Sequence, residues 1–252
     1  MYLLIAILFD LALGASVFLG IACVVRRVLI KRRTRRWIIA LEESGVHRAA
    51  PSPRDLSLKK APVEIWDHVV QFYGHDDELV DAVSGYLSAA LGAHEVAIVV
   101  ATEAHRRAFD LALVGRGVDL AASSYITLDA SETMSKFVID GRVDRDLFGL
   151  VVGQLIRTAA ATGRPVRVYG EIVALLWDAG QINAAVELER LWNELGSVLP
   201  FSLYCAYPTH SVTGAAHRAD LEAICHLHAD MVGSESPLDP DHRNEREPIP
   251  AA

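Results

Sequence analysis

The chain predicts an α/β fold built on a doubly wound, mostly parallel sheet of about five strands, preceded by one transmembrane helix. Three observations carry this. Val69–Tyr73 reads as a short buried strand that stops at Gly74 and hands over to a helix whose first turn holds Asp76, Asp77 and Glu78, where the helix dipole favours negative charge. Glu95–Thr102 is a nearly continuous apolar run, as expected of a strand covered on both faces of a parallel sheet. Met1–Val25 is almost wholly apolar, with Asp10 its one charged residue.

At about 1.5 Å per residue, such a run reaches roughly 37 Å as a helix, enough to cross a hydrocarbon core of about 30 Å. Arg26, Arg27, Lys31, Arg32, Arg33, Arg35 and Arg36 follow it, a flank that stays cytoplasmic by the positive-inside rule. A cleavable signal peptide would carry its basic residues before the apolar run, so a retained anchor over 1–25 is the better reading. Asp10 lies near the outer end and can snorkel outward; the other readings are a protonated carboxyl or a contact in an oligomer. Residues 26–64 form a basic juxtamembrane segment and a linker, with Trp37 suited to the interface and Pro51 and Pro53 marking irregular chain. The expected location is a single-pass inner-membrane protein with its α/β domain in the cytoplasm.

The α/β domain is expected over 65–232. Strands are predicted at 69–73, 95–102, 125–129, 165–171 and 201–207. Helices are predicted at 79–91, 103–114, 131–137, 144–162, 172–178, 183–195 and 216–231, each from helical apolar spacing and its flanking punctuation. Thr102 and Asn183 are the expected N-caps, and Ser131 opens a short helix. The tail 233–252 is Pro-rich and charged, and reads as disordered. The charge is divided: residues 1–60 hold 11 Lys/Arg against 4 Asp/Glu, a net of +7, and the remainder holds 13 against 28, a net of −15. An acidic body of this kind lacks the basic face that phosphate backbones require, so nucleic acid is not an expected partner.

In carboxyl-end crevices of such sheets, ligands meet polar side chains. Tyr73, Asp129 and Glu171 fall at or near predicted strand ends, with Phe72 beside them. Glu171 and Asp129 could instead cap the elements that follow them. His68 opens the first strand, where it is either a ligand contact or an imidazole satisfied by the backbone. Glu187, Glu189 and Glu194 read mostly as a solvated helix face, and Trp177 and Trp192 as core. Cys225 and His228 share a helix face at i, i+3, yet a closed zinc site needs four ligands and this is the only close pair, so no metal is expected and buried, inert thiols are preferred. No nucleophile elbow or metalloprotease helix occurs, and Gly115 and Gly117 follow a helix rather than a strand, so neither catalytic residues nor a dinucleotide cofactor are expected.

With the elements in place, the stretch from His68 to about His228 resembles the MEDS family of sensory domains, known from methanogen and methylotroph regulators. The resemblance is carried, in order, by His68-x-x-x-Phe72-Tyr73, Thr127–Ala130, Tyr169–Trp177, Leu188-Glu189-x-Leu191-Trp192 through Leu195, and Phe201–Pro208 with Cys205 at its centre. It implies a RecA-like strand order with an eroded nucleotide signature. It also implies sensing of a small organic ligand, with His68, Phe72, Tyr73, Asp129, Glu171 and Cys205 as candidate contacts. Family members often sit beside kinase or regulator modules, so a partner of that kind acting in trans is expected here. The residues themselves agree on the eroded loop: Gly74-His75-Asp76-Asp77-Glu78-Leu79 lacks the second glycine, the Lys and the Ser/Thr of a phosphate loop and sets three acids in its place. The chain is therefore not expected to be an enzyme. Two other readings stay open, a degenerate nucleotide binder without efficient hydrolysis and a thiol- or metal-dependent enzyme using His68 and Cys205. Convergence of His68, Tyr73, Asp129 and Glu171 on one cavity would mark a ligand sensor. Their separation, each satisfied locally, would mark a scaffold for protein partners.

Overall fold

The computed structural model describes residues 67–212 and 217–232. The expected anchor, the juxtamembrane segment and the tail lie outside the described residues. Among the described residues, no helix is long and apolar enough to cross a membrane.

Six strands form one sheet: β1 (Asp67–Tyr73), β2 (Val96–Ala101), β3 (Tyr125–Asp129), β6 (Val166–Gly170), β7 (Ser202–Pro208) and β8 (Asp230–Val232), with a separate two-residue pair β4 (Val138–Ile139) and β5 (Arg142–Val143). The order across the large sheet is β3-β2-β6-β7-β1-β8, and every neighbouring pair is parallel. Parallel neighbours need crossovers, and these are helical. Helices α1 (Asp76–Gly92) and α2 (Glu103–Gly115) pack on each other. Later come α3 (Ala130–Met134), α4 (Arg145–Phe148), α5 (Gln154–Ala160), α6 (Ile172–Asp178), α7 (Ile182–Gly196), α8 (Thr209–Val212) and α9 (Arg218–Leu227), with α6 on α7 and α7 on α9. From β1 the chain moves one way across the sheet to β3, then reverses. Right-handed crossovers therefore place α1 and α2 on one face and the later helices on the other.

Side chains alternate between these faces. Tyr73, Val99, Ala101, Tyr169 and Tyr204 meet Leu79, Val83 and Leu87 of α1 and Phe109 and Leu113 of α2 in one buried cluster. Ile98, Val100 and Val168 point the other way, toward α6, α7 and the turns before α5. All six residues of β2 are buried. At about 1.5–3 kcal/mol for each large apolar side chain removed from water, this strand alone is a substantial share of the driving force.

The structure departs from expectation at four places. A sixth strand, β8, replaces the last turn of the predicted 216–231 helix. His228 takes an extended conformation and Ala229 N–H donates to His68 O at 2.7 Å, which pulls the chain onto the sheet edge. The β4–β5 hairpin was not foreseen; its Asp140-Gly141 turn has φ of +52° and +73°, the left-handed pair that an Asp-Gly hairpin turn accommodates. The predicted helix 144–162 is broken in character by a π-helical turn, Gly149–Gly153, between α4 and α5. Finally, Thr102 caps α2 as expected and Asp129 caps α3, the alternative reading of that residue, so α3 opens at Ala130 rather than Ser131; Asn183 lies inside α7, whose N-cap is Gln181.

Phe109 is fully buried and meets Tyr169 edge-on at 5.2 Å. Phe109→Ala is expected to destabilise the domain by about 3–5 kcal/mol, read as a lower midpoint in urea unfolding with little change in slope.

Candidate functional site

The six candidate ligand contacts separate into three places. His68 and Cys205 lie together under the α7 face. Phe72 is on that face too, stacked on Tyr207 with ring centroids 6.0 Å apart. Tyr73 and Glu171 belong to the carboxyl end of the sheet. Asp129 stands apart near the β3 edge, where it accepts from Glu132 N–H at 2.9 Å and from Arg106 Nη2 at 3.1 Å. Those hydrogen bonds hold the Asp129 carboxyl below its usual range, that from Glu132 N–H contributing most. The convergence of all four of His68, Tyr73, Asp129 and Glu171 on one cavity is not what the structure shows.

At the strand ends, Glu171 is buried and fully engaged. It does not cap α6. Its Oε2 accepts from Thr102 N–H at 2.7 Å, and its Oε1 accepts from His105 Nδ1 at 2.7 Å and Thr102 Oγ1 at 3.3 Å. This joins β2 to β6 at their carboxyl ends. The Glu171 hydrogen bond raises the pKa of His105 above its ordinary 6.5 despite partial burial, with help from Asp76, whose Oδ1 lies 3.8 Å from Nε2. Burial, then the charges of Glu171, Asp76 and Asp178, pushes the Tyr73 phenol up. His105 was missed in the sequence because it sits on a predicted helix with no motif around it; its signal was the position three residues after the Thr102 cap, facing the strand ends.

Beneath the other face lies a second polar group. His68 and Glu189 are 1% and 0% exposed, and the His228 and Cys205 side chains are also fully enclosed. His68 Nε2 is 3.2 Å from Glu189 Oε2 and 3.5 Å from Cys205 Sγ. Cys205 Sγ is 3.5 Å, and His228 Nε2 3.7 Å, from the same Glu189 oxygen. Tyr207 Oη donates to the other oxygen, Oε1, at 2.6 Å. Burial raises the Glu189 carboxyl, but the two imidazoles and the Tyr207 hydroxyl outweigh it and hold the group below the usual carboxylate range. Burial, with Glu189 adding, pushes the Cys205 thiol well up, and burial pulls the His228 imidazole down. The assignment of Glu189 to a solvated face is thus corrected, whereas Glu187 and Glu194 do face outward and pair with Arg145. Glu189 is three residues before Trp192 and four after Ala185, both buried, so it falls on the apolar stripe of α7. Cys225 and His226 are outside the group, and His228 joins it because it has left the helix.

A third feature is apolar. Ile98, Val168, Val151, Val152, Thr133 and Trp192 are among the residues that line a cavity between the sheet and the π-helical turn, with room for about one water-sized molecule. None of the six candidate contacts lines it. Trp177 and Trp192 are buried as expected, and Trp192 is also a wall of this cavity.

A histidine whose pKa is raised on folding stabilises the fold fully below its unfolded value, and that contribution is lost as pH rises through the folded value. The His105 contribution, read by urea unfolding, is therefore expected to fall as pH is raised from about 6 past neutrality, opposite in sign to that of His228, and Glu171→Gln is expected to remove the falling component. An unchanged slope in the variant would assign the titration to another group.

Searches of curated proteins and of solved structures return no match. A family model described as MEDS, "MEthanogen/methylotroph, DcmR Sensory domain", matches residues 67–229, from the start of β1 to the residue before β8. The chain belongs to the MEDS family of sensory domains.

Proposed function

We propose that this protein is a membrane-anchored sensor that binds a small organic molecule and passes the signal to a partner, such as a kinase or regulator module, acting in trans. The anchor is the apolar segment 1–25 with its basic flank, which would hold the domain at the cytoplasmic side of the inner membrane. Family membership supports the sensory role. The observation that carries the ligand class is the apolar cavity beneath the Gly149–Gly153 turn. π-Helical turns are rare and are found frequently at functional sites. A molecule of few heavy atoms entering here would press on Val151 and Val152 and so shift α4 and α5 against α7. The separation of His68, Tyr73, Asp129 and Glu171 counts against a pocket at the strand ends and, taken alone, favours a scaffold for protein partners; the apolar cavity is what keeps a ligand in the proposal, now at the sheet face. At the strand ends, Glu171 and Asp129 already have their partners.

The nucleotide alternative is weaker. Gly74 N–H, where a phosphate oxygen would be cradled, donates to Glu78 Oε2 at 3.0 Å, and Asp76 and Asp77 flank it. A phosphate arriving there meets carboxylates.

The full-length chain in mild detergent is expected to show a thermal shift with at least one member of a panel of one-carbon compounds, organic halides and small alcohols. Val151→Phe, which fills the cavity at a packing cost of about 1–3 kcal/mol, is expected to abolish that shift. A response to none of the panel, or a shift that survives Val151→Phe, would overturn the proposed site. A shift with ATP–magnesium instead would restore the nucleotide reading.

A further inference from the structure

The buried group under α7 is short of hydrogen-bond donors, and its geometry says what is missing. Ile224 O can only accept, so His228 Nδ1, 2.7 Å away, must carry a proton and donate it. Leu227 O likewise can only accept. Asn193 Nδ2 therefore donates to it at 2.8 Å, which turns Asn193 Oδ1 toward His68 Nδ1 at 3.1 Å and makes that nitrogen the donor. With both rings uncharged, the form in which an imidazole ligates a metal, the two Nε2 lone pairs face the same point. Glu189 Oε2 faces that point as a third acceptor, and the Cys205 thiol can offer one proton. His228 Nε2 has no hydrogen-bond partner although its ring is fully buried. Burying an acceptor in this way is unfavourable unless something supplies the positive end.

We propose that His68 Nε2, His228 Nε2, Cys205 Sγ and Glu189 Oε2 form a closed tetrahedral site for a zinc-class divalent cation. With bonds of about 2.0–2.1 Å to nitrogen, 2.0–2.2 Å to oxygen and 2.3 Å to sulfur, the edges of such a tetrahedron are roughly 3.3–3.6 Å. The observed separations of 3.2, 3.5, 3.5 and 3.7 Å fall on that range or within about 0.1 Å of it, and all four donor atoms lie within 4.8 Å of one another. The donor set suits a borderline-soft ion, with sulfur and imidazole rather than oxygen alone. Charge balances as well: the thiolate and carboxylate neutralise the dication, and the Cys205 proton leaves for solvent on binding. Each imidazole already has the outer hydrogen bond that fixes a ligating histidine, His68 to Asn193 and His228 to Ile224 O. The four ligands come from β1, α7, β7 and the residue after α9, so one ion would clamp β8 and the end of α9 to the sheet. A closed site of this type is structural, and it stands independently of the ligand proposed above.

The test uses the full-length chain, purified without a histidine tag and stripped with a chelator. Titration with zinc(II) against a chromophoric chelator is expected to find one tight equivalent per chain. Cobalt(II) in its place is expected to give a thiolate-to-metal charge-transfer band that Cys205→Ser removes and Cys225→Ser retains. Asn193→Ala, which keeps every ligand, is expected to weaken zinc binding about 10–100-fold. Failure of the folded, stripped protein to bind stoichiometric zinc would overturn the site and leave a proton shared by His68 and Glu189 as the occupant. A cobalt band that persists in Cys205→Ser would overturn it equally. Neither result bears on the thermal-shift test of the cavity.

Discussion

Much of this architecture follows from one constraint, the burial of β2 on both faces. A strand with no solvent side has no polar alternation to give its register away, and it must be paired on both edges and covered twice. β3 and β6 take the edges. The covers come from different parts of the chain: α1 and α2, made before the direction of winding reverses, and the helices after β3. The polar features inherit this division. The Glu171–His105–Thr102 bond lies where adjacent strands β2 and β6 send their connections opposite ways, as β2 leads outward to β3 and β6 leads back to β7. The His68–Glu189–Cys205–His228 group is on the later face, reached from β1 and β7.

Most of the fold could be read from spacing. Tyr125–Asp129 and Ile172–Asp178 have the bounds that alternation and helical periodicity assign them, because both are short, strongly patterned and punctuated on each side. What escaped was decided by contacts distant in sequence. Nothing local ends α9 at Leu227; the competing element is His68 O, more than half the chain away, which takes the Ala229 amide. A π-helical turn shares the apolar period of the helix around it over five residues, so Gly149–Gly153 was absorbed into one long helix. The Asp140-Gly141 turn was a readable hairpin signal, passed over because only two residues pair on each side.

The candidate sites were less legible than the fold. Side-chain types were noticed correctly at His68, Cys205 and His228, but their grouping depends on the β1–β7 register, in which Val70 pairs with Cys205 and His68 with Leu203. Glu189 was assigned to water because charged residues usually belong there. Its place on the apolar stripe of α7 was the contrary evidence. At the strand ends the opposite error occurred: three polar residues near the right edge suggested one pocket, but Asp129 is held at β3 by Arg106 while Glu171 is consumed in tying β2 to β6. Being at a strand end places a residue along the sheet and says nothing of which strand separates it from the next.

The position of β1 also bears on how the domain is made. Of the described strands it is the first synthesised, yet its neighbours in the sheet are β7 and β8, the last two of them; the Tyr204–Gln71 hydrogen bond between β7 and β1 spans 133 residues. At about 5–20 residues per second, β1 waits on the order of ten seconds after leaving the ribosome before either partner exists. During that interval two unpaired strand edges and the side chains of Val70 and Phe72 face solvent or a chaperone. Closing so long a loop before any contact rewards it makes folding slow. The same topology that carries His68 across to α7 therefore leaves β1 unpaired until the final third of the domain is made.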